Sequence, residues 1–205
     1  MSTDPTDEPV VVYTIGHSNH PLEKLLALLS QHEIGVLLDT RSSPYCRYAT
    51  HFSQPSIRDA VEGAGIRYIY MGKELGGRPE GDEFYDEEGH VDYARVAESA
   101  PFKGGIDRVL RGVRKHRVAL LCSEEDPLAC HRRLLVTRVL SERGVEPRHI
   151  RGDGQVQSEE MIVQEEKKSR KDTGQLSLFE SEETPAWKSV RSVLDRKTRQ
   201  PSSDF

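Results

Sequence analysis

Apolar and β-branched residues gather in short runs separated by glycine, proline and polar clusters, and the runs predict alternating strands and helices. Val10 to Ile15 is a continuous run closed by Gly16, which predicts a buried strand. After a turn at Ser18 to His20, Pro21 opens a helix whose apolar side carries Leu22, Leu25, Leu26, Leu28 and Leu29. Ile34 to Leu38 predicts a second strand stopped by Asp39, Ser53 or Gln54 to Gly63 a helix, and Arg67 to Met71 a third strand. A stretch dense in glycine and acid, Gly72 to His90, is long enough to predict a functional loop. Helical patterns return over Tyr93 to Glu98 and Ile106 to Lys115. Val118 to Cys122 is the strongest strand signal, a continuous apolar run suited to the centre of a parallel sheet. Cys130 to Arg143 predicts an amphipathic helix with Leu134, Leu135, Val139 and Leu140 inward and Gly144 as its stop, and Arg148 to Ile150 a last strand.

Repeated strand and helix units with right-handed crossovers imply an α/β fold. The expected form is a mostly parallel sheet with helices on both faces, a Rossmann-like three-layer sandwich, over residues 10–155 behind a flexible N-terminus, 1–9. The mixed-charge stretch after Gly154 holds too few apolar residues to offset its ordering entropy, so residues 156–205 are expected to form a polar, disordered tail. Within it, Trp187, Val190, Val193 and Leu194 stand at helical spacing and predict a short helix over 186–195.

A chain of 205 residues suits one domain of this kind, and a net charge of -5 gives no global pull towards nucleic acid while leaving room for a local basic cleft. No apolar run reaches bilayer length, and the first residues are acidic where a signal peptide would be basic. The expectation is a cytoplasmic protein with no membrane partner. Three cysteines, Cys46, Cys122 and Cys130, are too few and too odd in number for a disulfide framework.

In an open parallel sheet, ligands bind beyond the carboxyl ends of the strands. Five segments place polar residues there: His17 and Ser18; Asp39, Arg41 and Tyr45; Lys73 and Arg78; Cys122 and Glu124; and Cys130, His131 and Arg132. Singly each has a plain reading. His17 and Ser18 cap a helix, Asp39 and Arg41 form an ion pair, and Cys122 is a small buried hydrophobe. A cysteine phosphatase loop would place arginine six residues after its cysteine, but Leu128 and Phe52 stand there, so that chemistry is excluded. Cys122, Cys130 and His131 lack the paired short spacing of a zinc site, so no metal is expected and no cofactor is named. An anion site built on Arg41, Arg132 and the start of the Cys130 helix fits better.

Together, T-I-G-H-S (14–18), L-D-T-R-S-S-P (38–44), L-G-G-R-P (75–79), L-L-C-S-E-E-D-P-L-A-C-H-R (120–132) and H-I-R-G-D-G (149–154) resemble the DUF488 (domain of unknown function) family. The resemblance implies an α/β fold and marks His17, Ser18, Asp39, Arg41, Glu124, Cys130, His131 and Arg132. It implies no reaction. In the tail, Gln175, Leu176, Ser177, Leu178 and Phe179 are similar to the pentapeptide with which bacterial replication and repair proteins hold the sliding clamp. Glutamine would be its polar anchor, and Leu178 and Phe179 would fill an apolar pocket.

The resulting expectation is an enzyme of DNA metabolism or repair, recruited by the sliding clamp, that hydrolyses a phosphodiester or N-glycosidic bond in nucleic acid or a nucleotide. In it Asp39 or Glu124 acts as base, His17 or His131 carries the proton, and Arg41, Arg78 and Arg132 hold phosphate, with Ser18, Tyr45 and Cys130 beside them. Tyr45, Arg47, Tyr48, His51 and Phe52 interleave basic and aromatic side chains able to stack on bases. A nucleotide enzyme that uses the tail only for location, and a non-catalytic nucleic-acid adaptor, remain the alternatives.

Overall fold

Strands that are apolar at every position need cover on both faces, and the computed structural model shows how this chain supplies it. It describes residues 9–45, 49–172 and 187–193. The chain runs β1 (Val10–Gly16), α1 (Leu22–Gln31), β2 (Val36–Asp39), α2 (Gln54–Gly63), β3 (Arg67–Tyr70), α3 (Gly72–Leu75), α4 (Tyr93–Glu98), α5 (Ala100–Val113), β4 (Val118–Cys122), α6 (Arg138–Glu142), β5 (Val145–Ile150), β6 (Val156–Ser158) and α7 (Glu159–Asp172). Strand order is β3-β2-β4-β1-β5-β6, parallel throughout except for the antiparallel β5–β6 pair. This is the expected three-layer α/β sandwich.

Residues of one strand alternate between two cores. Leu37, Ala119 and Leu121 face α1 and α2, whose Leu25, Leu29, Ile57 and Val61 close over them. Val36, Leu38, Val118 and Leu120 face the other way, against Val96, Phe102, Ile106, Leu135 and Leu140. Each fully buried aliphatic side chain contributes roughly 1.5–3 kcal/mol, so these two layers carry most of the stability. Among the described residues no helix is long and apolar enough to cross a membrane.

Element ends differ from the expectation where capping or pairing intervenes. Ser99 accepts from the amide of Phe102 and Pro101 sits in the first turn, so α5 starts at Ala100 and not at Ile106. β5 starts at Val145 because Val10 to Val12 pair with Val145 to Pro147. The helix expected from Cys130 to Arg143 opens as a π-helical turn, Arg132–Thr137, that runs into α6. Such turns are rare and frequent at functional sites.

Two expectations about the tail are corrected. Residues 156–172, read as linker, form β6 and α7. The reason is electrostatic. Arg133 is buried, and Glu159 and Glu166, two turns apart on α7, reach it at 2.7 and 3.1 Å, while Ile162 between them is buried. A hydrophobicity count does not register a helix held on by a buried guanidinium. The short helix expected over 186–195 is absent from its described part: residues 187–193 are an extended strap. Ser189 donates its amide to Val91, Val193 to Gly89, and Tyr93 donates to the carbonyl of Trp187. Trp187 donates to the carbonyl of Leu134 at 2.7 Å, with the Arg138 guanidinium 4.3 Å from its ring. A short isolated helix is marginal in water, whereas this edge satisfies the strap's backbone directly. The pentapeptide Gln175, Leu176, Ser177, Leu178 and Phe179 lies outside the described residues.

Replacing both Glu159 and Glu166 by glutamine leaves the Arg133 charge buried without a counter-charge. The carboxylates are about one third exposed, so the expected loss lies at or below the buried-pair range, about 2 to 4 kcal/mol. Thermal unfolding checks this; an unchanged midpoint would mean that α7 adds nothing to the domain.

Candidate functional site

The carboxyl ends of β1, β2 and β4 meet at the middle of one sheet edge, and the chain there is packed too closely for ordinary side chains. A Cβ on Gly16 would collide with the carbonyl of Glu124, and one on Gly77 would come within 2.6 Å of the His131 ring. These glycines let the loops after β1, α3 and β4 converge.

Asp39 ends β2 with no exposure. Its carboxylate accepts from Arg41 Nε at 2.8 Å, Arg41 Nη2 at 2.6 Å, the Arg41 amide at 3.1 Å and the Tyr68 hydroxyl at 2.5 Å. Burial and the adjacent carboxylate push the Tyr68 phenol far up, so it stays a donor. Arg41 Nη1 donates to the carbonyl of Phe52 at 2.8 Å and lies 3.2 Å from His17 Nε2. His17 Nδ1 lies 2.7 Å from the carbonyl of Ser18, so the ring donates through Nδ1, accepts from Arg41 through Nε2 and is neutral. It stacks on Phe52 with centroids 4.2 Å apart. Burial is the main reason its pKa falls to about 4, and the Arg41 charge adds to it.

Arg132, also without exposure, is a strut. Its Nη1 donates to the carbonyl of Glu124, Nη2 to that of Glu125 at 2.6 Å, and Nε to Thr14 Oγ1 at 3.3 Å. The loop after β4 therefore hangs on a guanidinium from the helix that follows it.

Reactive groups gather in front of this scaffold. Cys122 ends β4 and is buried, with its Sγ 3.1 Å from Cys130 Sγ and 3.7 Å from His131 Nδ1. His131 Nε2 lies 3.1 Å from the carbonyl of Thr40. A charged imidazole donating through both nitrogens meets both distances. The hydrogen bond from Cys130 holds the Cys122 thiol well below the usual cysteine range, and His131 and Arg132 assist. Burial opposes charge on His131, but the Cys122 sulfur and the Thr40 carbonyl together raise its pKa. Burial keeps Cys130 a thiol. The contacts at the sheet edge thus favour a thiolate on Cys122 facing an imidazolium on His131.

Cys122 and His131 line a cleft of about 400 Å³. Ser43, Tyr45, Arg78, Tyr93, Glu124 and Ser189 to Arg191 of the strap line it as well. Of the expected site residues, Arg41, Tyr45, Arg78, Glu124 and His131 line the cleft, whereas His17, Ser18, Asp39, Cys130 and Arg132 do not. Asp39 and His17 are expected as base and proton carrier and Arg132 as a phosphate holder; Asp39 is held by Arg41 and Tyr68, His17 by Arg41 and the carbonyl of Ser18, and Arg132 by Thr14 and the carbonyls of Glu124 and Glu125. In the aromatic loop His51 is exposed and Phe52 is buried, and Arg47 and Tyr48 lie outside the described residues. Tyr93 and Arg191 are not among the expected site residues, and Cys122, expected at this edge, is there read as a small buried hydrophobe. For Cys122 the signal was present in the eight-residue spacing to Cys130 and the adjacent His131; Arg191 carried none.

Ligand atoms of Cys122, Cys130 and His131 lie within 4.8 Å of one another, as do those of Asp86, Glu88 and His90 at the surface. Two thiolates on one tetrahedral zinc, with bonds of about 2.3 Å, stand about 3.8 Å apart. The 3.1 Å contact between Cys122 and Cys130 fits a thiol donating to a thiolate better than a shared metal.

The neutral state of His17 makes stability depend on pH. Between about 4 and the unfolded value of 6.5 the unfolded chain binds a proton that the folded chain refuses. Stability is therefore full above pH 6.5 and falls as pH drops towards 4, by about 3 kcal/mol from this group. Thermal unfolding from pH 7.5 to 4.5 should show the decline, and His17→Gln, which keeps a donor and an acceptor, should flatten it. An equally steep decline in the variant would assign it elsewhere.

No curated protein and no solved structure matches the chain. A family model described as "Domain of unknown function DUF488" matches residues 21–139, which run from the residue before α1 to the second residue of α6. That span holds Asp39, Arg41, Cys122, Cys130, His131 and Arg132, and covers more than half of the sequence. The chain therefore belongs to the DUF488 family.

Proposed function

We propose that this protein is a cysteine-dependent enzyme acting on a phosphate-bearing substrate, a nucleotide or one nucleotide unit of a nucleic acid, in DNA metabolism. The observation that carries the reading is the Cys122 sulfur held between Cys130 Sγ at 3.1 Å and His131 Nδ1 at 3.7 Å on the wall of a cleft. A thiolate stabilised by an imidazolium is the activated nucleophile of covalent catalysis.

The volume favours a small ligand, because about 400 Å³ lies in the range of single-molecule sites and is too small for a duplex. Arg78 and Arg191 are exposed at the cleft, and among the described residues no carboxylate pairs with either guanidinium. They are suited to phosphate oxygens. Tyr45, whose side chain is exposed, supplies an aromatic face for a base. In the proposed hydrolysis the Cys122 thiolate attacks the electrophilic centre, and the leaving group departs with a proton from His131. Water, deprotonated at His131 or Glu124, then releases the product and restores the thiolate.

The tail pentapeptide supports the placement in DNA metabolism on sequence alone. A peptide spanning Gln175 to Phe179 should bind a bacterial sliding clamp with micromolar affinity, on the order of -7 to -8 kcal/mol. Alanine at Leu178 and Phe179 should abolish it, each side chain contributing roughly 1.5 to 3 kcal/mol. Isothermal calorimetry decides, and absence of binding by the wild-type peptide removes this part of the reading.

The catalytic part is tested by screening nucleotides and intact and damaged single- and double-stranded DNA for turnover, with and without divalent metal. Cys122→Ser should lower kcat by at least about a hundredfold while substrate binding persists. In iodoacetamide labelling, Cys122 should react well below the pH at which free cysteine does, and His131→Gln should move that profile upward. A non-catalytic adaptor would show no turnover with any substrate and unchanged ligand binding in Cys122→Ser.

A further inference from the structure

Cys130 has no place in the hydrolysis beyond donating a hydrogen bond, yet its position suits a second chemistry. It has no exposure, so a reagent entering the cleft meets Cys122 first. The two sulfurs are 3.1 Å apart, and a disulfide needs about 2.05 Å, so closing the pair takes a movement of about 1 Å. Arg132 Nη1 lies 3.6 Å from Cys130 Sγ and His131 Nδ1 lies 4.0 Å from it, so two N–H groups already flank the buried thiol.

We propose that Cys122 and Cys130 form a reversible disulfide, with a hydroperoxide as oxidant and a dithiol as reductant, so that the cleft carries a two-cysteine redox site. This rests on the reading of Cys122 as the reactive thiol of the cleft. In the first step the Cys122 thiolate attacks the distal oxygen of the peroxide. The O–O bond breaks, Cys122 becomes a sulfenic acid, and the alkoxide or hydroxide leaves with a proton from His131. In the second step Cys130 sulfur attacks Cys122 sulfur, the S–O bond breaks, and the hydroxyl leaves as water with the proton of Cys130. One peroxide is reduced by two electrons and two thiols become one disulfide. A dithiol restores both thiols through a mixed disulfide. Oxidation removes the cleft's nucleophile and reduction returns it.

Order of attack follows from burial. Cys122 is the residue at the cleft and carries the thiolate, whereas Cys130 reaches only Cys122. Over-oxidation of Cys122 is therefore prevented by a thiol already in contact with its sulfur, and not by one that must arrive through a loop movement.

The sequence offers a clean readout, because no lysine or arginine separates the two cysteines and both fall in one tryptic peptide, Val118 to Arg132. The full chain is exposed to hydrogen peroxide, blocked with iodoacetamide, digested and weighed. The expected result is loss of two hydrogens from that peptide, reversed by dithiothreitol, with Cys122 labelling slowed at least about tenfold after peroxide. Cys130→Ser should yield a sulfenic acid at Cys122 that dimedone traps. If wild-type Cys122 alkylates rapidly but gains two oxygens with no disulfide, the redox pair is refuted while the nucleophile stands. If Cys122 resists both reagents in metal-free protein, both readings fall. Stoichiometric zinc that shields both thiols in the purified protein would overturn the disulfide in favour of a metal.

Discussion

A carboxylate cannot be left alone in the centre of a parallel sheet, and the burial of Asp39 sets the terms for everything around it. Moving an unpaired charge out of water costs many kcal/mol, so the group must be surrounded by donors. Arg41 and Tyr68 supply them. Arg41 then needs partners for its remaining N–H groups and takes the carbonyl of Phe52 and the ring of His17. His17 in turn has to be neutral to accept. One buried charge at the end of β2 thereby locks the starts of the loops after β1 and β2 into a single arrangement. The cleft in front inherits a rigid back wall.

The same logic separates two kinds of cation in this molecule. Arg41, Arg132 and Arg133 are buried and fully engaged, the first with a carboxylate, the second with loop carbonyls, the third with α7. They define shape. Arg78 and Arg191 stand in the cleft, exposed. Among the described residues no carboxylate pairs with either guanidinium. Arginine suits both tasks because its planar donors hold several acceptors at once and it stays charged when buried. Position in the fold, not residue type, assigns the task.

The thiol pair depends on that scaffold. Arg132 fixes the carbonyls after β4 and so fixes the path by which the chain leaves Cys122 and returns to Cys130. The π-helical turn that follows begins with Arg132 itself and brings His131 against both sulfurs. Cys122 is accordingly both things that its sequence position suggests separately. It is the buried end of an apolar strand, and it is a polarised sulfur on the wall of the cleft.

Periodicity in the sequence was enough for the three-layer fold, because alternation within a strand and helical spacing are local properties that burial rewards wherever the strand ends up. That the polar segments would reach one edge was readable too, since in a parallel sheet every strand end reaches the same edge, but which of them line the cleft was not. What stayed out of reach depends on partners distant along the chain. A count of apolar residues could not show that Arg133 would be buried and hold α7, nor that Trp187 would seat an extended strap and carry Arg191 to the cleft. Neither could it tell that Asp39 and His17 would be consumed by Arg41, or that Cys130 and His131 would both meet the Cys122 sulfur. Those outcomes follow from desolvation and from hydrogen bonds between distant segments, which act on a polar group only after tertiary packing has decided what lies next to it.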